Sequence, residues 1–133
     1  MQKVAEDKRG AIFEVGVVED RHVNILVTKA GFYRGGHFHD YPEEFFVVWG
    51  ELDWVELDWV ELDWVEAPTP ETNPGVLNST RYTMGMVMNS QPGIPHMLKA
   101  NTDCVVVEFR PAGAGFKATD FAPMRNLIKA QLA

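Results

Sequence analysis

Hydrophobic and polar positions alternate over most of the chain. Residues 11–18 (Ala-Ile-Phe-Glu-Val-Gly-Val-Val) and 22–29 (His-Val-Asn-Ile-Leu-Val-Thr-Lys) are rich in β-branched side chains and flank the polar turn Glu19-Asp20-Arg21. Val23, Ile25 and Val27 alternate with Asn24 and Thr28, the mark of a half-buried strand. Further strands are predicted over Glu43–Trp49, over 81–88 with Tyr82, Met84, Met86 and Met88 on one face, over His96–Lys99 and over Cys104–Arg110. Gly and Pro punctuate these runs: Gly31, Gly35 and Gly36, the loop 67–80 with its three prolines, and Gln91-Pro92-Gly93-Ile94-Pro95. Only the tail has helical spacing. Met124, Leu127, Ile128 and Leu132 predict a helix over about 121–132, with Asp120 as cap and Pro123 in the first turn. Many short strands with one terminal helix predict an all-β antiparallel sandwich or barrel.

One stretch breaks the pattern. Glu-Leu-Asp-Trp-Val occurs three times without error, at 51–55, 56–60 and 61–65, and Glu66 follows. A period of five suits no regular structure. On a strand, parity flips with each copy, so Leu52 and Trp54 share one face while Leu57 and Trp59 take the other. One copy makes a good amphipathic strand with Leu and Trp inward. The triplet reads as a tandem duplication, natural or engineered, whose excess Trp and Leu would favour self-association.

The length of 133 residues fits one domain, and 46% hydrophobic with 23% charged residues fits an ordinary globular protein. Seven of the 19 acidic residues fall between Glu51 and Glu66, and the net charge is −7. The 12 Lys and Arg form no cluster, so no nucleic-acid or membrane partner is expected. Met1–Asp7 has no apolar leader segment, and the expected location is cytoplasmic. The lone cysteine, Cys104, lies in the apolar run Cys104–Val107 and reads as a buried thiol.

Candidate chemistry concentrates in Gly31–Gly50. His37 and His39 stand two apart, so on a strand both imidazoles point to one side. A turn through Asp40-Tyr41-Pro42 brings Glu43 back towards them, while alternation turns Glu44 away.

The spacing Gly31, five residues, His37, one, His39, three, Glu43, six, Gly50 resembles the first signature motif of the cupin superfamily and matches it throughout. Gly85, Gly93 and His96 match the second, with Gln91 in place of its Pro and Ala100 in place of its Asn. The resemblance implies a cupin double-stranded β-helix (jelly-roll barrel) covering roughly residues 23–110. It also implies one divalent metal held by His37, His39, Glu43 and His96. Three imidazoles and a carboxylate suit Zn, Fe, Ni, Mn or Cu alike. A narrower likeness runs from Asp7-Lys8-Arg9-Gly10 through Arg34-Gly35-Gly36-His37-Phe38-His39. It is similar to small cupins that modify nucleotide-linked deoxysugars in surface-polysaccharide biosynthesis, which implies a sugar-nucleotide substrate and a homodimer.

Outside the ligand set, Arg34 is a candidate for holding a phosphate or carboxylate, with a surface salt bridge as the competing reading. Glu108, in the apolar strand Val105–Phe109, is a candidate general base or an outward residue. Tyr82 and Met84 are candidate substrate contacts at the barrel mouth, against a core role for the Met row, and His22 reads as a surface residue. The function expected is a metal-dependent cupin enzyme on a small sugar-like or carbohydrate-derived substrate, by isomerisation or epimerisation. The alternatives are an Fe(II) cupin dioxygenase and a non-catalytic small-molecule-binding cupin.

Overall fold

The computed structural model describes residues 1–58, 76–113 and 117–133. The strands are β1 (Gln2–Asp7), β2 (Gly10–Val18), β3 (Arg21–Thr28), β4 (Tyr33–Phe38), β5 (Glu43–Trp49), β6 (Glu51–Asp58), β7 (Val76–Thr83), β8 (Val87–Ser90), β9 (His96–Ala100), β10 (Cys104–Pro111) and β11 (Thr119–Asp120). One helix, α1 (Ala122–Leu132), follows. Two antiparallel sheets result, ordered β1-β2-β3-β10-β5-β8 and β11-β4-β9-β6-β7. The all-β architecture with a short C-terminal helix is the one the alternation predicts.

Each sheet turns an apolar face towards the other. Leu26, Phe45, Val47, Met88, Cys104 and Val106 from the first meet Leu52, Trp54, Leu98 and Ala100 from the second in one core cluster. A second cluster lies on the other side of the β4-β9-β6 sheet. There Leu57 and Met97 pack with Phe121 and Met124 around α1. The parity flip between repeat copies is realised here. Leu52 and Trp54 of the first copy fill the inter-sheet core, and Leu57 of the second lies under the helix, all buried. The rest of the repeat and residues 67–75 of the expected loop lie outside the described residues.

Several boundaries differ from expectation. Residues 76–80 are not loop but the start of β7, which pairs along its whole length with β6. The strand expected over 81–88 is broken at Met84-Gly85, where Gly85 adopts φ 91° and the chain turns into β8. The Met row therefore does not share a face. Met88 is core, while Met84 is 65% exposed and Met86 is 43% exposed. At the helix start the N-cap is Phe121, without a side-chain cap. Asp120 is instead paired in β11 opposite His37. Pro123 occupies the first turn as expected, Met124 and Ile128 are buried, and Leu127 faces out. Strands β1 and β11 were not foreseen; β1 shows no buried position along its length, so alternation carries no signal there.

Candidate metal centre

Two adjacent glycines shape the strand that carries the first histidine. The β4–β9 register shifts between Gly35 and His37, a bulge in which Gly35 and Gly36 adopt φ 94° and 79°. Strict alternation would set Arg34 and His37 on opposite faces. The extra residue puts both against the same inter-sheet cavity. Beyond the bulge His37 pairs directly with His96 of β9. His39 lies one residue past β4, and Glu43 opens β5.

The four residues His37, His39, Glu43 and His96 converge, each offering a ligand atom within 4.8 Å of the others. His39, Glu43 and His96 are buried and His37 is partly so. Imidazole centroids are 5.5 Å apart for His37–His39, 5.1 Å for His37–His96 and 5.0 Å for His39–His96.

Outer contacts orient the rings. His39 Nδ1 lies 2.7 Å from the Tyr41 carbonyl oxygen, and its ring stacks on Tyr41 at 4.1 Å. His96 Nδ1 lies 3.0 Å from the Ile94 carbonyl and 3.1 Å from the Ser90 hydroxyl. Carbonyl oxygens only accept, so in each neutral ring the proton sits on Nδ1 and the Nε2 lone pair faces the centre. Trp54, of the first repeat copy, stacks on His96 at 5.1 Å and donates its indole N–H to Glu56 at 2.8 Å.

These lone pairs meet another acceptor. Glu43 Oε1 is 2.5 Å from His39 Nε2 and 3.6 Å from His96 Nε2. Acceptors so opposed repel unless a positive species lies between them, either a proton or a metal cation. The donor set and its carbonyl-anchored imidazoles thus fit a divalent transition metal. Without one, protons take that role. Burial, the largest single influence, lowers the His39 pKa, but the hydrogen bond to Glu43, the charge of Glu43 and the Tyr41 carbonyl together outweigh it and raise the pKa. Burial likewise pushes Glu43 up, and the two histidines override it, holding its pKa at about 2. His37 is depressed to about 4, first by burial and then by the neighbouring His96. It is ready as a neutral ligand.

The cavity beside this cluster, about 210 Å³, is lined by His37, Glu43 and His96 and by two of the residues singled out in the sequence, Arg34 and Glu108. Glu108 projects inward, opposite in sense to Val107 and Phe109, and accepts a 3.0 Å hydrogen bond from Asn24 Nδ2. Burial, then the charge of Glu43, raise its pKa to about 7. Arg34 is not in a surface salt bridge. It is 6% exposed, donating from Nε to Thr28 Oγ1 at 2.7 Å and from Nη2 to the Val27 carbonyl at 3.0 Å.

Other candidates stand elsewhere. Tyr82 packs against the core cluster and Met84 projects from the exposed turn; neither lines this cavity. His22 is not a surface residue, since only 12% of its side chain is exposed beside Glu14 and Arg110. Glu44 turns away from the site, 3.7 Å from Arg21. Arg9, Arg125 and Asn24 were missed. For Arg125 one signal was available, its place beside the buried Met124 in the amphipathic tail.

The fold and cluster place the chain among known proteins. No protein-family model matches it, and no curated protein matches it. Solved structures do. The capsular polysaccharide assembling protein CapF from Staphylococcus aureus superposes with a TM-score of 0.64 at 17% identity, over 89% of this chain and 33% of that one. Oxalate decarboxylase from Lactobacillus farciminis gives 0.65 at 19% identity, over 98% of this chain and 38% of that one. KdgF from Halomonas sp. gives 0.62 at 14% identity, over 84% of this chain and 86% of that one. The chain spans about a third of the length of the CapF and oxalate decarboxylase chains. The protein has the cupin fold, with a His/Glu cluster able to hold a metal ion. Among the described residues no helix is long and apolar enough to cross a membrane.

Proposed function

We propose that the protein is a metal-dependent cupin enzyme that moves a proton on a small carbohydrate-derived substrate, in isomerase- or epimerase-type chemistry. His37, His39, Glu43 and His96 are the metal ligands in this reading. A bound divalent ion supplies a Lewis acid that polarises a substrate carbonyl or hydroxyl oxygen. The observation that carries the proposal is Glu108, a second carboxylate outside the ligand set in the same cavity. A carboxyl group with a pKa of about 7 takes and returns a proton efficiently near neutral pH. The Asn24 amide holds one oxygen of Glu108 in place. The inter-sheet apolar wall of Ile12, Leu26, Phe45, Trp54 and Leu98 limits water at that proton. The similarity to CapF supports a carbohydrate-derived substrate, and the Mn(II) centres of the similar Bacillus subtilis oxalate decarboxylase support a metal.

The test is hydrogen exchange. Metal-loaded protein is incubated in D2O with a panel of aldoses, ketoses and uronic acids, and loss of the C–H signal next to the carbonyl is followed by NMR. Exchange is expected with at least one member and should fall by about two orders of magnitude in Glu108→Gln, with metal content unchanged. Undiminished exchange in Glu108→Gln contradicts the assignment. Oxygen uptake by the Fe-loaded protein without such exchange would favour the dioxygenase instead.

A further inference from the structure

The cavity is rich in guanidinium groups: Arg9, Arg34 and Arg125 all line it. They are not equivalent. Arg9 is neutralised by Asp7 through contacts of 3.1, 3.1 and 2.7 Å. Arg34 forms no ion pair among the described residues, and its two hydrogen bonds go to uncharged oxygens. A guanidinium carries five N–H donors in a planar fork, so three of those of Arg34 have no protein partner among the described residues. Asp7 and Glu108 act on the Arg34 charge only at longer range, and buried charges are normally paired directly. Arg125 donates from Nη1 to the Gly35 carbonyl at 3.2 Å, while its buried Nε has no hydrogen-bond partner. The nearest carboxylate oxygen, Asp120 Oδ1, is 3.9 Å from that Nε, beyond hydrogen-bond reach.

The fold sets both arginines along one cavity. The Gly35-Gly36 bulge turns Arg34 inward. The bare Cα of Gly36 lets α1 approach: a Cβ there would lie 3.0 Å from Ile128 Cδ1 and 3.2 Å from the Arg125 backbone nitrogen.

We propose that Arg34 and Arg125 form an oxyanion subsite, so that the substrate is a small carbohydrate acid or phosphate whose anionic group docks there while its reacting carbons lie against Glu108 and the metal ligands. This rests on the enzyme reading above and narrows its substrate class. Guanidinium forks match carboxylate and phosphate oxygens bidentately. Size sets the other limit. A cavity of about 210 Å³ lies below the ~300–1,000 Å³ usual for drug-sized ligands. It has room for a monosaccharide-scale acid.

The test is titration calorimetry of the metal-loaded protein with D-glucuronate, D-glucose 6-phosphate and D-glucose. At least one anion should bind about tenfold or more tightly than glucose, the size expected of a charge-assisted pair. Whichever anion binds tighter identifies the docking group. Arg34→Gln and Arg125→Gln should each reduce that preference about tenfold with metal content unchanged. Because Arg125 lies on a partly exposed helix face, its variant serves even if Arg34→Gln lowers stability. Equal binding of glucose and both anions overturns the proposal. So does an anion preference surviving both substitutions, which would place the anion on the metal. Arginine-dependent anion binding without any proton exchange would instead leave the subsite standing and remove the enzyme reading.

Discussion

The Tyr41 carbonyl oxygen lies 2.7 Å from His39 Nδ1, and that contact decides what the opposite nitrogen offers the centre. With the proton spent on Tyr41, Nε2 turns a lone pair towards Glu43 2.5 Å away. The metal-free protein must fill that gap with a proton. Metal uptake should therefore release one. Since the His39 pKa is raised, apparent metal affinity should increase with pH until that pKa is passed and then level off. His37, depressed to about 4, should not contribute to the slope above pH 5. Proton release measured by calorimetry in buffers of different ionisation enthalpy checks this.

Glu108 has the opposite linkage from Glu43. Its folded pKa of about 7 exceeds the ordinary carboxyl value, so its charge destabilises the metal-free fold above pH 7, and this cost vanishes below about pH 4. Glu108→Gln should therefore stabilise the metal-free protein at pH 8 by about 1–3 kcal/mol and have little effect at pH 4. Glu43, depressed to about 2, contributes stability above its ordinary pKa that is lost as pH falls towards 2. Chemical denaturation of both proteins at the two pH values separates these effects.

Gly36 joins helix and site. At φ 79° any side chain is strained, and the added Cβ meets α1. Gly36→Ala should cost about 1–3 kcal/mol and weaken metal binding, because the bulge that aims His37 must shift. Thermal unfolding and metal titration of this variant test both effects.

The repeat yields a separate expectation. Leu57 belongs to the second copy and is fully buried, so Leu57→Ala should cost about 2–5 kcal/mol. Deleting 61–65 preserves the sequence of β6 and should leave a folded protein. Deleting 56–65 sets Ala67 in place of Leu57 and Pro68 in place of Asp58, and should lose stability. Circular dichroism melts of the two deletions decide it.

Spacing was enough to group His37, His39 and Glu43, because their positions depend on short-range strand and turn geometry; His96, which the long-range β4–β9 pairing sets opposite His37, came only with the resemblance to the cupin motifs. Alternation set Glu108 opposite Val107 and Phe109 but left open whether it faced in or out; its place in the cavity lining decides that. Arg34 was not legible. Alternation from His37 sends it outward, and only the Gly35-Gly36 bulge, an irregularity in pairing with β9, reverses that. The Met row failed for a similar reason: Gly85 looked like a strand residue until its turn conformation broke the run. Arg125 and Arg9 reach the cavity through long-range packing of α1 and the β1–β2 turn, which no local pattern records.

The central claim is that four named side chains form one metal centre. Elemental analysis of purified protein after loading with divalent transition metals, alongside His39→Ala and His22→Ala, tests it most directly. About one ion per chain is expected in the parent and in His22→Ala, with high-affinity binding abolished in His39→Ala. No stoichiometric metal under any loading condition, or equal losses in the two variants, would contradict the assignment.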